Sequence, residues 1–241
     1  MKNIYMLVGL PSSGKSTYVE NNFDKDSFVL SNDKIREHIA IKHNITYDDT
    51  FAKVPDNLNV NEYLNGKEFY GPVVLKDINL YTGEILKDVK VFEKIYEANK
   101  EIDEIFKLGK EMAIKQPNDL IIDLTNISIQ DREIILNDCK INPKDVQVIN
   151  FMPKENLEEY LKTVKELSIF RNEYLQKEGK SKTIPEVVFD SIYNKYEEPT
   201  LKEGFKSIEN IDNSYDLQQS VITYRSMKYA DSIDMANGFN F

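Results

Sequence analysis

The stretch Ile4–Thr17, IYMLVGLPSSGKST, constrains the fold of this chain more than any other. Ile4 to Val8 is a short apolar run of strand type. Gly9, Gly14, Lys15 and Ser16 then match the spacing G-x-x-x-x-G-K-[ST], and a helical pattern follows from Ser16 to Asn21. Strand before and helix after is the setting in which such a loop holds phosphate. Glycine lets the backbone close around anionic oxygens, and the N–H groups of Ser12, Ser13, Gly14 and Thr17 stand at the mouth of a helix whose dipole favours anions. Lys15 is expected on the β- and γ-phosphates of a nucleoside triphosphate such as ATP, and the Ser16 hydroxyl on Mg²⁺. A plain glycine-rich turn is the competing reading of these letters, and the flanking strand and helix weigh against it.

The next elements follow by pattern. Ser27–Ser31 is a short buried-strand run, and Lys34–Ile39 opens a second helix with Asp33 near its N-cap. Asp33 is either an ordinary helix cap or a functional carboxylate. A strand directly after the first helix is expected beside the first strand, which would bring Asp33, and Arg36 one turn on, to the same crevice as the glycine loop. Residues 43–90 read as a β-rich insertion with hairpin-like runs at Val73–Leu75 and Asn79–Leu86. Its aromatics, among them Tyr47, Phe51 and Tyr63, either bury themselves or offer faces for base stacking. Val91–Lys115 has long helical periodicity, and Leu120–Leu124 is a fully buried strand carrying Asp123, which matches the acidic residue that supports Mg²⁺ in phosphate-loop NTPases. Ser128 is expected to cap a helix carrying Arg132, and Asp145–Asn150 is a further strand. Beyond the charged helix Glu155–Glu178, Arg171, Lys180 and Lys182 form either a solvated basic face or a mobile cationic lid over the triphosphate. Residues 210–241 carry no motif and read as a C-terminal extension of a domain spanning 1–209.

Composition narrows the function classes. The net charge is −10 and there are only four arginines, so a surface that tracks long duplexes is disfavoured and a small or short anionic substrate in a cleft is favoured. One cysteine, Cys139, excludes disulfide stapling within the chain and points to a cytoplasmic location. His38 and His43 lack partners at zinc-ligand spacing. No signal peptide and no run long enough to span a bilayer is recognised, so no membrane partner is expected; the oligomeric state is open.

In order, Gly9–Thr17, Ser31–Arg36, Ile121–Ser128 with Arg132, Arg171-Asn172, Thr183–Val188 and Glu203-Gly204-Phe205 resemble the kinase domain of the bacteriophage-type 5′-polynucleotide kinases and related small phosphate-loop kinases. The resemblance covers residues 1–42 and 91–209. It implies a phosphate-loop NTPase fold of the nucleotide-kinase type, α/β with a mostly parallel sheet flanked by helices, and transfer of the ATP γ-phosphate to a hydroxyl. It further implies that Asp33 is the general base on a 5′-hydroxyl and that Arg36 touches the terminal nucleotide's phosphate. Asp123 and Thr125 would line the acceptor site, with Arg132 a further matching arginine on that side and Arg171 in the catalytic set. The family's lid carries arginine where this chain has Lys180 and Lys182, which neutralise phosphate but do not clamp it in bidentate fashion. The leading expectation is therefore an ATP- and Mg²⁺-dependent kinase for the 5′-hydroxyl of RNA or DNA. The alternatives are a kinase for a small alcohol (nucleoside, nucleotide-sugar or aminoacyl-tRNA serine) and a non-catalytic NTP-binding module.

Overall fold

A computed structural model describes residues 2–51, 89–178 and 180–238. Five strands, β1 (Ile4–Val8), β2 (Phe28–Leu30), β3 (Leu120–Ile122), β4 (Val146–Asn150) and β5 (Ser207–Asn210), form one sheet in the order β2-β3-β1-β4-β5 with every pairing parallel. Among the described residues, seven α-helices accompany it: α1 (Lys15–Asn22), α2 (Asn32–His43), α3 (Val89–Ala113), α4 (Ile129–Cys139), α5 (Leu157–Lys177), α6 (Glu186–Asn194) and α7 (Ser214–Gly238). The chain is thus an α/β protein built on an all-parallel sheet. Among the described residues no helix is long and apolar enough to cross a membrane.

The two-residue period of the strands sorts the core. Ile4, Met6 and Val8 face one side, with Leu120, Ile122, Val146 and Val148, against Ala113 of α3 and Ile135, Leu136 and Cys139 of α4. Leu7, Ile121 and Ile149 face the other, against Val19 of α1 and Phe151. A third cluster gathers beyond the strand ends, where Leu10, Ile127 and Met152 meet Tyr160, Val164 and Leu167 of α5, Phe189 of α6, and Leu217 and Val221 of α7.

Strand order departs from expectation at one place. β2 does not lie beside β1; β3 stands between them, with Ile122 level with Met6 on one flank and Leu30 on the other. The cause is in the side chains. Leu120, Ile121 and Ile122 are wholly buried and require neighbours on both sides, whereas Phe28 and Val29 of β2 are only half-buried and suit a sheet edge. The crevice beyond the strand ends consequently runs from the β1 loop across Asp123 to α2.

The start of α2 also differs in its cap. Ser31, not Asp33, is the N-cap residue, its hydroxyl accepting from the Lys34 N–H at 3.4 Å. At α4, Ser128 and Asp131 form a reciprocal capping box. The β-rich reading of 43–90 lies for the most part outside the described residues, as do both of its hairpin-like runs; residues 48–51 form a single 3-10 turn. The C-terminal stretch adds a long helix to the domain: Tyr224 of α7 stacks on Phe170 of α5, and Arg225 makes two 2.6 Å bonds to Glu166.

Candidate functional site

The loop from Gly9 to Gly14 joins β1 to α1, and its glycines are dictated by crowding. A Cβ on Gly9 would lie 3.0 Å from Phe151 Cβ and 3.0 Å from Ser13 Oγ. Gly14 has φ +85°, and a Cβ there would stand 2.9 Å from Asn213 Nδ2. Ser12 takes the left-handed conformation and Ser13 is buried. The loop is tied on three sides. Gly9 N–H donates to Thr125 O at 3.1 Å, Lys15 Nζ donates to Gly9 O and Leu10 O at 2.9 and 2.7 Å, and Asn213 Nδ2 donates to Ser13 O at 2.8 Å. Asn126, just past Thr125, donates to Leu7 O at 2.7 Å and locks the β3 loop onto β1. Among the described residues no side chain caps α1, so the N–H groups of its first turn, with Ser16 and Thr17 exposed there, remain a ready anion site.

Beside this loop, Ser16 Oγ donates to Asp123 Oδ2 at 3.4 Å. Burial raises the Asp123 carboxyl above its ordinary value, with Lys15 opposing. Burial likewise lowers the Lys15 ammonium, against the pull of Asp123 and Asp33. Those two hard oxygen donors at the helix mouth fit a small divalent cation that keeps water and phosphate oxygens for the rest of its shell. Among the described residues there is no group of three or more His, Cys, Asp or Glu side chains suited to a metal.

Across the crevice, Asp33 is the centre of a polar cluster. Its Oδ1 accepts from the Tyr47 hydroxyl at 2.9 Å, and Lys182 Nζ lies 3.2 Å from its Oδ2. Lys182 also bonds Glu37 Oε1 at 2.7 Å and sits 4.6 Å from the centre of the Tyr47 ring. The lysine side chain is 8% exposed and that of Asp33 60%, so the carboxylate is the more accessible member of the pair. Burial works to raise Asp33, but Lys182 and the Tyr47 hydrogen bond outweigh it and hold the carboxyl below the usual aspartate range. Tyr47, buried and facing Asp33, is pushed far above the ordinary tyrosine value and is a neutral donor at any physiological pH. The segment bearing Lys182 is anchored by Asn172, which accepts from Lys182 N–H at 2.8 Å, and by Thr183 N–H donating to Asp48 at 2.8 Å.

Arg36 stands one turn along α2. Its guanidinium donates to Thr50 O and lies 4.4 Å from the Phe51 ring centre, and its Nε is buried with no hydrogen-bond partner among the described residues.

Three expected site residues lie elsewhere. Arg132 is not on the substrate side: it is fully buried, bonded through Nε and Nη2 to Glu203 at 2.7 and 3.0 Å, and through Nη1 to the carbonyls of Asn126, Ile127 and Glu197. Its fork fastens α4 and the β3 loop to the segment before β5. Lys180 pairs on the surface with Glu178 at 2.9 Å and does not reach the loop. Arg171 is exposed on α5, with no bond to the cluster among the described residues. Sequence reasoning in turn misses Tyr47, Glu37 and Asn213, and quotes Asn172 within the resemblance without giving it a role. Tyr47 stands in the segment flagged as rich in aromatics; Glu37 and Asn213 carry no signal in spacing or composition.

Compared with models of known protein families and with curated proteins, the chain finds no match. The site therefore has to be read from its own geometry.

Proposed function

We propose that this chain is a P-loop kinase that transfers the γ-phosphate of ATP to an alcohol, with the 5′-hydroxyl end of RNA or DNA as the leading acceptor. The observation that carries the reading is the exposed Asp33 carboxylate, which is not used as a helix cap and lies close enough to Lys15, at the end of the glycine loop, for the two charges to interact. A protein that only binds nucleotide has no need of a carboxylate on the far side of its phosphate site.

Roles follow from position. The loop N–H groups and Lys15 hold the triphosphate, and Ser16 and Asp123 hold Mg²⁺, which when bound offsets charge on the phosphates. Residues on either side of Asn213 line a cavity of about 390 Å³, with Pro153, Asn156, Tyr160, Asn210, Asp212 and Ser214 in its wall, which offers room for the nucleoside half. Asp33 takes the proton of the acceptor hydroxyl as the acceptor oxygen bonds to the γ-phosphorus; the bond to the β,γ-bridging oxygen breaks and ADP leaves with its electron pair. Lys182 is the lid cation, exchanging Asp33 for phosphate oxygens while Glu37 stands by as its second anion. Arg36, whose Nε has no partner among the described residues, is the candidate for an acceptor phosphate.

The test is transfer of label from γ-labelled ATP to 5′-hydroxyl oligonucleotides, with Asp33→Asn as the blank. Labelled 5′ ends with the wild type and at least a hundredfold less with the variant are expected, on the order of what a general base contributes. Absence of transfer to any oligonucleotide removes the polynucleotide acceptor. The net charge of −10 favours a small alcohol as the second reading, and a metabolite mixture in the same assay separates the two.

A further inference from the structure

We propose that Tyr47 is a positioning residue for the Asp33 carboxylate. By holding Oδ1, its hydroxyl turns Oδ2 toward the place where an acceptor proton is collected. The inference rests on the reading of Asp33 as the proton acceptor, and goes beyond it by assigning the group that aims that acceptor.

The two carboxylate oxygens of Asp33 are held differently. Oδ1 accepts from a neutral hydroxyl at 2.9 Å, whereas Oδ2 faces the Lys182 ammonium at 3.2 Å. Lys182 has a second anion, Glu37 Oε1 at 2.7 Å, so it leaves Oδ2 without losing its last partner. Oδ2 is thereby the releasable oxygen and Oδ1 the fixed one. Without Tyr47 the carboxylate keeps, among the described residues, only the Lys182 contact that phosphate competes for. Asp33 is the second residue of α2, where a loose carboxylate swings toward the unpaired N–H groups of the helix's first turn.

Tyr47 is itself well held, as a positioning group has to be. Thr46 and Asp49 close a turn around it, with Thr46 N–H and Oγ1 donating to Asp49 Oδ2 at 2.8 and 2.7 Å and Asp49 N–H returning a bond to Thr46 Oγ1 at 3.1 Å. Its carbonyl accepts from Thr50 Oγ1 at 2.6 Å. Its ring is buried, edge-on to Phe51 at 5.2 Å between centroids. Among the described residues, the ionisable groups facing Asp33 are Tyr47 itself, Lys182 from the segment before α6, Lys15 from α1, Asp123 from beyond β3, and Arg36 on its own helix. Of the described groups bonded to Asp33, Tyr47 is the uncharged one, so it orients the carboxylate without drawing it from the phosphate side.

Tyr47→Phe keeps the ring and its contact with Lys182 and removes only the donor. Steady-state kinetics across pH, melting temperature and the carboxyl ¹³C NMR titration of Asp33 are measured on wild type and variant. The expected result is a kcat lower by on the order of tenfold, with the KM for ATP unchanged. The acid limb of the kcat profile moves to higher pH, and the Asp33 titration moves the same way, because a hydrogen bond to the ionised form is lost. An unchanged kcat and acid limb overturn the proposal. So does a fall in kcat with the Asp33 titration unmoved, which marks a merely structural effect. If Tyr47→Phe does not fold, 3-fluorotyrosine at position 47 retains the side chain and tunes the donor; an Asp33 titration indifferent to it overturns the proposal equally. A wild type that transfers no phosphate, while the Asp33 titration still moves on substitution, overturns the kinase reading and leaves the hold of Tyr47 on Asp33 standing.

Discussion

Asp33 and Arg132 are both charged residues near the start of a helix, and their surroundings assign them opposite work. Asp33 is held below the ordinary aspartate range because Lys182 and Tyr47 outweigh its burial. A carboxyl depressed in the folded protein stabilises it above the unfolded value, about 3.9, and that contribution is lost as pH falls through the lower folded value. Activity that depends on ionised Asp33 is accordingly expected to persist below the usual aspartate range. Lys182→Met, which keeps the buried stem and removes the charge, is expected to move the acid limb of the kcat/KM profile, which reports the free enzyme, upward and to raise the KM for ATP. Arg132 is the structural case. Arg132→Met leaves Glu203 without its cation and takes one donor from each of three carbonyls, and a loss of about 3 kcal/mol in denaturant unfolding is expected, by analogy with breaking a buried ion pair. Nothing in the spacing of Arg132 separates these fates, since a buried fork and a ligand-facing one look alike as letters.

At the scale of elements, what periodicity encodes is legible and what depends on distant packing is not. Ile4–Val8, the glycine loop and α1 read directly, because an apolar run, crowded glycines and a helix start are all local. α3 and β3 are legible for the same reason, with helix ends differing by about two residues. The place of β3 between β1 and β2 is not, because it depends on which strand needs two covered edges. The Ser31 cap is missed because Ser31 and Asp33 are both good capping residues, and the choice between them follows from where Asp33 finds Tyr47 and Lys182. Ser31→Ala is expected to cost about 0.5–1 kcal/mol, the lower part of the range for caps given its 3.4 Å bond. Gly14→Ala is expected to cost about 1–2 kcal/mol from its left-handed backbone alone, and to weaken ATP binding by displacing Asn213 from Ser13, read by calorimetry.

Over the whole molecule, the glycine loop answers to two remote parts of the chain. The β3 loop holds it through Thr125, and the C-terminal stretch through Asn213, with α7 leading on to cover α5. A chain stopped after Asp212 uncovers the cluster that Leu217 and Val221 bury. It is expected to lose roughly 3 kcal/mol or more of stability, from the two side chains alone, and to bind ATP more weakly than the full chain. Asn213→Ala isolates the second effect, lowering affinity with little change in melting temperature.

The position of β3 bears on the order in which the chain is made. β2 ends at residue 30 and its neighbour begins at residue 120, so a ribosome delivers β1, β2 and, among the described residues, the helices α1, α2 and α3 before the strand that joins β1 to β2 exists. Until then, β1 and β2 have open edges and no partner for one another. Sheet formation is therefore a late, long-range event during synthesis. Nascent chains arrested short of β3 remain open to protease, and protection of the first fifty residues arrives in one step once β3 and β4 have emerged.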